Sequence, residues 1–395
     1  MPRIRTIEQA DVAGKRVLCR CDLNVPLKDG EVSDDLRIRA VLPTVRYLLK
    51  HQARLVLMSH LGRPHGTGYE KDFSLAPVAA CLSEFLGQEV EMASDICGPD
   101  AKAKVEKLEP GQVLLVENVR FDAREQKDDP EFTAELASLG DIFVNDAFGT
   151  AHRNHSSTAG LAEILPSYAG FLLEREVVTL KGMLEEPHRP FVAILGGSKV
   201  SDKIGVIESL MEKVDVILVG GGMCFTFFLA QGKNIGTSLR EDEHIETARR
   251  ILDMAQKAGV KLLLPVDVVV ADRFAEDAKT QVVGVDEIPA DMMGLDVGPA
   301  TVELFKKEIA GAATIFWNGP MGVFEMKPFE AGTRGVAQAL AVAPGETIIG
   351  GGDSVAAVRK FALDDEMTFI STGGGASMRL VEGKVLPGVA PLLED

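Results

Sequence analysis

Two sets of residues in this sequence have the chemistry to hold anions, and both sit directly after short apolar runs. In the first half, Asp22, Leu23 and Asn24 close one run, and His60, Leu61, Gly62 and Arg63 close the next. Arg120 follows Glu117-Asn118-Val119, and His152, Arg153 and His155 follow Asp146-Ala147-Phe148-Gly149. Arg37 lies near the start of the helical stretch after the first run. A guanidinium fork binds carboxylate and phosphate in a bidentate way. Each arginine alone reads more readily as a solvated surface charge, and it is their shared position at strand ends that points to one anion site. The histidines have no carboxylate or cysteine partner recurring at metal-ligand spacing, so they are not read as a metal centre.

The second half carries glycine clusters in the same positions: Gly196-Gly197-Ser198-Lys199-Val200-Ser201-Asp202-Lys203, Gly220-Gly221-Gly222, Asn318-Gly319-Pro320, Gly350-Gly351-Gly352-Asp353-Ser354 and Gly373-Gly374-Gly375. Glycine lets backbone approach a phosphate, and a following helix start offers free N–H groups and partial positive charge. No GxxxxGK[ST] or GxGxxG pattern is present, so neither a P-loop nor a dinucleotide fingerprint is expected. Asp353 reads either as a ligand of magnesium on nucleotide phosphates or as a helix N-cap. Lys199 and Lys203, four apart, share a face if helical. They form either a solvated face or a cationic pair that neutralises a phosphoryl group.

Along the whole chain, short apolar runs alternate with helix-period segments, the pattern of strand, helix, strand units and a parallel sheet. Strands are expected at 16–22, 54–60, 113–118 and 141–146, with helices at 34–51 and 75–86 between them. The second half continues with strands at 191–195, 214–219, 261–270, 313–317, 347–349 and 368–371. Ligands of such sheets bind beyond the carboxyl ends of the strands, which is where both residue sets fall. Residues 172–186 place Leu173, Val177, Leu180 and Leu184 on one stripe, followed by Pro187 and Pro190. This is a helix with one buried face, either a lever joining two lobes or a core helix of one of them. The expected fold is α/β, two doubly wound, Rossmann-like parallel-sheet lobes joined by a helix, with a cleft that closes by hinge motion. The lobes are expected at 1–171 and 187–385.

A chain of 395 residues exceeds the size of one growing core, in line with two domains. A net charge of -17 argues against nucleic-acid or anionic-membrane partners, which need a basic footprint. The apolar run 216–230 is broken by three glycines and falls short of the roughly 20 residues of a membrane helix. No signal-peptide pattern opens the sequence. Five cysteines without a CxxC pair suggest reduced thiols and a cytoplasmic protein. Cys19 and Cys21 alternate with Arg20 and Asp22, so the two thiols are expected to face a core together.

Taken as a set, Arg20-Cys21-Asp22-Leu23-Asn24-Val25-Pro26, Ser59 to Pro64, Glu117 to Phe121, Asp146 to Arg153, Gly196 to Val200, Trp317 to Glu325, Gly350 to Ser354 and Ser371 to Ser377 resemble the motifs of the phosphoglycerate kinase family, in order. The resemblance runs from about residue 4 to Pro387. It implies reversible phosphoryl transfer between 1,3-bisphosphoglycerate and MgADP, giving 3-phosphoglycerate and MgATP. It implies acid-substrate binding by Asp22, Leu23, Asn24, Arg37, His60, Leu61, Gly62, Arg63, Arg120 and Arg153. It implies nucleotide binding by Lys203, Glu325 on the ribose, Gly351, Gly352, Asp353 and Ser354, with Asp353 on Mg²⁺. Arg37, Lys199, Gly373 and Gly374 would surround the phosphoryl group in flight. The carboxyl-terminal residues 386–395 would return to the first lobe, and a monomer is the family expectation. Cys21, Leu23, Cys224 and Phe225 depart from common family residues. Two other readings compete: a two-lobed binding protein without chemistry, which leaves the second-half loops unexplained, and a dehydrogenase, which lacks its fingerprint.

Overall fold

The computed structural model describes residues 3–394, and residues 1, 2 and 395 of the expected first lobe and returning segment lie outside the described residues. In chain order the strands are β1 Arg16–Cys21, β2 Leu27–Lys28, β3 Glu31–Val32, β4 Arg54–Met58, β5 Val90–Met92, β6 Val113–Leu115, β7 Ile142–Asp146 and β8 Ser167–Ala169. They continue with β9 Phe191–Leu195, β10 Val216–Val219, β11 Lys261–Leu263, β12 Asp267–Ala271, β13 Thr280–Gly284, β14 Met293–Val297, β15 Thr314–Asn318, β16 Glu346–Ile349 and β17 Phe369–Ile370. The chain divides into two compact units, one of Met1–Thr179 with Lys384–Asp395 and one of Leu180–Gly383. The fold is mixed α/β, with a doubly wound parallel sheet in each unit.

In the first unit the sheet order is β5-β6-β4-β1-β7-β8, all pairs parallel. Chain order reverses beside β1, with β4 on one side and β7 on the other, so a topological switch point opens at the carboxyl ends of β1 and β7. β1 is buried along nearly its whole length because helices cover both faces of the sheet. Cys19 and Cys21 point into the same apolar core, their Sγ atoms 3.7 Å apart, while Leu18 packs in the cluster on the opposite face. The carboxyl-terminal segment belongs to this unit: Gly388 N–H donates to Ala151 O at 2.9 Å and Asn145 Nδ2 donates to Gly388 O at 2.9 Å.

In the second unit the main sheet runs β11-β10-β9-β15-β16-β17, again parallel throughout, with its switch point between β9 and β15. A separate antiparallel sheet, β13-β12-β14, accompanies it. Here the expectation of one strand over 261–270 is corrected. Pro265, which has no N–H to give a ladder, divides the run into β11 of the parallel sheet and β12 of the antiparallel one. Lys199 and Lys203 do not lie on a helix: Lys199 is in irregular backbone, residues 201–203 form a turn, and the helix Ile204–Leu210 starts only after Lys203.

The helix Phe171–Glu185 crosses the boundary between the units. Leu173, Val177, Leu180 and Met183 are buried along it, with Met183 taking the place expected of Leu184. Its first turn is capped by Asp146 at the end of β7, whose Oδ1 accepts from Leu172 N–H at 2.9 Å and Leu173 N–H at 3.1 Å. Phe171 N–H goes to Thr44 Oγ1 at 2.9 Å. No helix among the described residues is long and apolar enough to cross a membrane.

Candidate functional site

At the β1/β7 switch point the chain builds a basic cluster on a rigid backbone frame. Leu23 N–H donates to Ser59 Oγ at 2.9 Å, and Asn24 Oδ1 accepts from Gly62 N–H at 2.8 Å. The Gly62 carbonyl in turn accepts from Arg120 Nη1 at 2.9 Å. Gly62 needs to be glycine: its φ is +60°, and a Cβ there would run into the Phe73 ring. These bonds tie the segments after β1, β4 and β6 together. Asp22 Oδ1 accepts from Arg37 Nη1 at 3.0 Å, and the same nitrogen reaches Asn24 O at 3.2 Å. Arg37 thus leaves the Leu36–Lys50 helix toward the end of β1.

The electrostatics show which cations converge. His60 is buried, and its pKa is pushed well below the ordinary histidine value first by that burial and then by Arg20, Arg120, Arg37 and Arg153. Burial lowers Arg120 to about 10; Glu125 opposes the shift, and Arg20 and Arg153 add to it. An acidic protein that gathers four guanidinium groups around one imidazole has concentrated positive potential where an anion can neutralise it. Arg63 and Arg153 are exposed, Leu61 is buried, and Arg37 is half-buried.

Residues that sequence reasoning left without a role complete this unit. Arg20, fully buried, donates Nε–H to Ser157 Oγ at 2.9 Å, and Ser157 Oγ donates to Glu125 Oε1 at 2.7 Å. The other carboxylate oxygen of Glu125 lies 3.3 Å from His155 Nδ1. Burial alone would raise Glu125, but His155, Arg20 and Ser157 hold it below the ordinary carboxylate value. The available signal was an arginine inside an otherwise apolar parallel strand, since buried charges are rare unless paired.

At the β9/β15 switch point the second unit gathers the glycine loops around Asn318, the last residue of β15. Asn318 Nδ2 donates to Gly350 O at 2.7 Å, and Asn318 Oδ1 accepts from Lys203 Nζ. Gly319 N–H donates to the buried Ser354 Oγ at 2.6 Å. Burial lowers the Lys203 pKa, and Asp202, Asp353 and Glu382 oppose that shift. The glycines divide into two groups. Around Gly196, Gly221 and Gly319 any Cβ would strike the backbone of a neighbouring turn, so these glycines serve loop-to-loop packing. At Gly352 and Gly374 the space a Cβ would take is open.

Gly351, at φ +89°, occupies the N-cap position of the Gly352–Lys360 helix. Asp353 is therefore not the cap but an exposed carboxylate in the first turn. One exposed carboxylate in the first turn of a helix fits how Mg²⁺ is held on a polyphosphate, with phosphate and water supplying its other ligands. Gly374 precedes the Gly375–Val381 helix, and Gly373 N–H is engaged by Ser371 Oγ at 3.2 Å. Lys199 is exposed, as is Glu325, whose carbonyl lies 3.4 Å from Lys360 Nζ. Glu241, absent from the sequence reading, anchors the loop that carries Lys199 and Lys203. It accepts from Ser201 Oγ at 2.6 Å and Ser201 N–H at 3.0 Å. The Glu241 N–H is fixed in turn by Thr226 Oγ1 at 3.2 Å.

Comparison with known proteins places this arrangement. A family model described as phosphoglycerate kinase matches residues 7–384. The chain is 56% identical over 394 residues to a phosphoglycerate kinase of Chloroflexus aurantiacus, covering 98% of each. It is 57% identical over 397 residues to one of Synechococcus sp., covering 97% of this chain and 96% of the relative. Among solved structures, the phosphoglycerate kinase from Coxiella burnetii superposes with a TM-score of 0.92 at 45% identity, over 99% of both chains. The enzyme from Pyrococcus horikoshii OT3 superposes at 0.80 and 34% identity, over 98% of both. The chain belongs to the phosphoglycerate kinase family, transferases whose acceptor is a carboxyl group.

Proposed function

We propose that this chain transfers a phosphoryl group reversibly between 1,3-bisphosphoglycerate and MgADP, with the acid substrate held by the first unit and the nucleotide by the second. The observation that supports this division is the chemical difference between the two switch points. One gathers His60, Arg37, Arg120 and Arg153, suited to a carboxylate and a phosphate. The other gathers glycine loops, Lys203, Asn318 and Ser354 beside an exposed Asp353, suited to a metal-bound polyphosphate.

In this reading Asp22, Leu23 and Asn24, with His60, Leu61, Gly62, Arg63, Arg120 and Arg153, position the three-carbon acid. Lys203, Glu325, Gly351, Gly352 and Ser354 hold the nucleotide, and Asp353 holds its Mg²⁺. The ion, when bound, neutralises charge on the nucleotide phosphates. Transfer needs little covalent help, so the work of the protein is in-line positioning and charge stabilisation. Arg37, Lys199 and the amides of Gly373 and Gly374 supply that stabilisation. The Gly373 amide must exchange its Ser371 partner to do so. Because the ligands are assigned to different units, transfer requires that the units bring them together, and segment 172–186 is where this reading places the motion. We take lobe boundaries of 1–171 with 386–395 and 187–385, and action as a cytoplasmic monomer, as parts of the same proposal.

Separate calorimetric titrations of 3-phosphoglycerate and MgADP test the division. Arg120→Ala should weaken the acid and spare the nucleotide, and Lys203→Ala should do the reverse. Crossed effects would contradict the assignment.

A further inference from the structure

We infer that Arg20 is a positioning residue that sets the tautomer of His60, holding the ring neutral with its proton on Nε2, so that His60 offers the bound acid one fixed hydrogen-bond donor. The inference deepens the proposed acid-substrate site and rests on that reading for the ligand.

The argument is one of donor and acceptor inventory. Arg20 Nη2 lies 3.1 Å from His60 Nδ1. A guanidinium has donors only, so the imidazole nitrogen facing it must accept. A proton on Nδ1, in the neutral Nδ1–H form or in the imidazolium, would set two donors against each other inside the protein. Arg20 is not free to swing away from this contact. Its Nε is committed to Ser157 Oγ at 2.9 Å, its Nη1 to the Cys21 carbonyl, and the whole side chain is buried. Glu125, through Ser157, supplies the buried negative charge that balances Arg20. The largest charge effects on His60 come from Arg20 on β1, Arg120 from the turn after β6, Arg37 from the Leu36–Lys50 helix and Arg153 from the loop after β7, all positive, while the acidic neighbours Asp22 and Glu125 act on Arg20 and Arg120. Each of these arginines disfavours a second proton on the ring. With Nδ1 accepting and the ring neutral, the remaining proton is on Nε2. A histidine beside a doubly anionic ligand would ordinarily gain a proton as the ligand binds. Here the Arg20 contact opposes that gain, so the positive charge of the site stays on the arginines and the imidazole contributes direction.

The test is long-range proton-nitrogen NMR of the full chain labelled with 15N-histidine, with His60 assigned by loss of its signals in His60→Gln. Across about pH 5.5 to 8, where an ordinary histidine titrates, Nδ1 should stay in the unprotonated range and Nε2 in the protonated range. In Arg20→Met the ring should titrate or exchange tautomers within that window. A wild-type His60 that titrates there, or that carries its proton on Nδ1, would overturn the inference. A second pair of variants keeps Arg20 intact in case Arg20→Met does not fold. Glutamine places an N–H where Nε2 stands, whereas asparagine places it where Nδ1 stands. His60→Gln should bind 3-phosphoglycerate about 10- to 100-fold tighter than His60→Asn, the scale of one hydrogen bond to a charged group. Equal affinity, or the reverse order, would count against an Nε2–H donor. Adding 3-phosphoglycerate to the labelled wild type should shift the Nε2 signal. Unmoved signals of the fixed Nε2–H form would sink the assignment of the acid site while the tautomer finding stood.

Discussion

Asp22 accepts a hydrogen bond from Arg37 Nη1 at 3.0 Å, and the bond commits only one of the three guanidinium nitrogens. The same Nη1 also serves Asn24 O at 3.2 Å, leaving Nε and Nη2 without a protein partner among the described residues. Asp22 therefore aims Arg37 and spares its Nε and Nη2 for a ligand. Arg37→Ala should lower kcat by at least about 100-fold, the scale of losing one electrostatic stabiliser, with a smaller change in nucleotide affinity. Steady-state kinetics in both directions measure this, and near-normal turnover would remove Arg37 from the catalytic role.

Asp353 projects from the first turn of a helix whose N-cap is Gly351, so removing its charge leaves the helix start intact. Asp353→Asn should weaken MgADP binding about 10- to 100-fold, as expected for a lost charge-assisted contact. 3-Phosphoglycerate binding should be unchanged. Calorimetry with each ligand reads both quantities, and a defect confined to the acid would show that the two units have been assigned the wrong way round.

Asp146 ties stability to pH through the cap it provides. Burial raises its pKa to about 7, against opposition from the Thr44 hydroxyl and the N–H groups of Leu173 and Leu172. An unfolded aspartate ionises near 4, at about pH 3.9. Between about pH 4 and 7 the native chain thus holds a proton that the unfolded chain has released, so stability falls as pH rises through that window and levels off above it. In Asp146→Asn the oxygen still accepts both N–H bonds but the titration is gone. Urea midpoints should change less between pH 5 and 8 than in the parent, and the variant should be at least as stable at pH 8. An unchanged pH slope with lower stability at pH 8 would mean that Asp146 is ionised in the native protein.

Glu241 holds the Lys199 to Lys203 loop through the Ser201 hydroxyl and N–H, with the Val200 N–H also directed at its carboxylate. Glu241→Ala should lower kcat/KM for MgATP about 10-fold, comparable to releasing one hydrogen bond to a charged group, and leave the KM for 3-phosphoglycerate unchanged. Glu241→Gln, which keeps one acceptor oxygen, should recover part of the loss. An equal effect on both substrates would point to general destabilisation instead.

The central strands of the parallel sheets were legible because they are short apolar runs ended by Gly or by polar residues, as at Cys21, Met58, Leu195 and Ile349, whereas the edge strands β5 and β8, three residues each and each with a polar residue, were missed. The antiparallel strands β13 and β14 were missed as well, since β13 is largely exposed and neither offers a continuous apolar run. Pro265 was a visible breaker whose consequence, a change of sheet, depends on which neighbour each half pairs with. The places of polar residues after strand ends, such as Asp22, His60 and Asp353, could be read from sequence. Roles that depend on a partner distant in the chain could not. Arg20 and Ser157 are 137 positions apart, Lys203 and Asn318 are 115, and Ser201 and Glu241 are 40. The glycine loops were read too uniformly: Gly196 and Gly319 answer to each other's backbone, whereas Gly352 and Gly374 leave room for a ligand.

The most direct test of the central claim is turnover of ATP with 3-phosphoglycerate and Mg²⁺, coupled through the acyl phosphate product to NADH oxidation. The account predicts sustained turnover that disappears when either substrate or the metal is omitted. Binding of both ligands with no turnover would contradict it, leaving a protein that keeps both anion sites without the transfer between them.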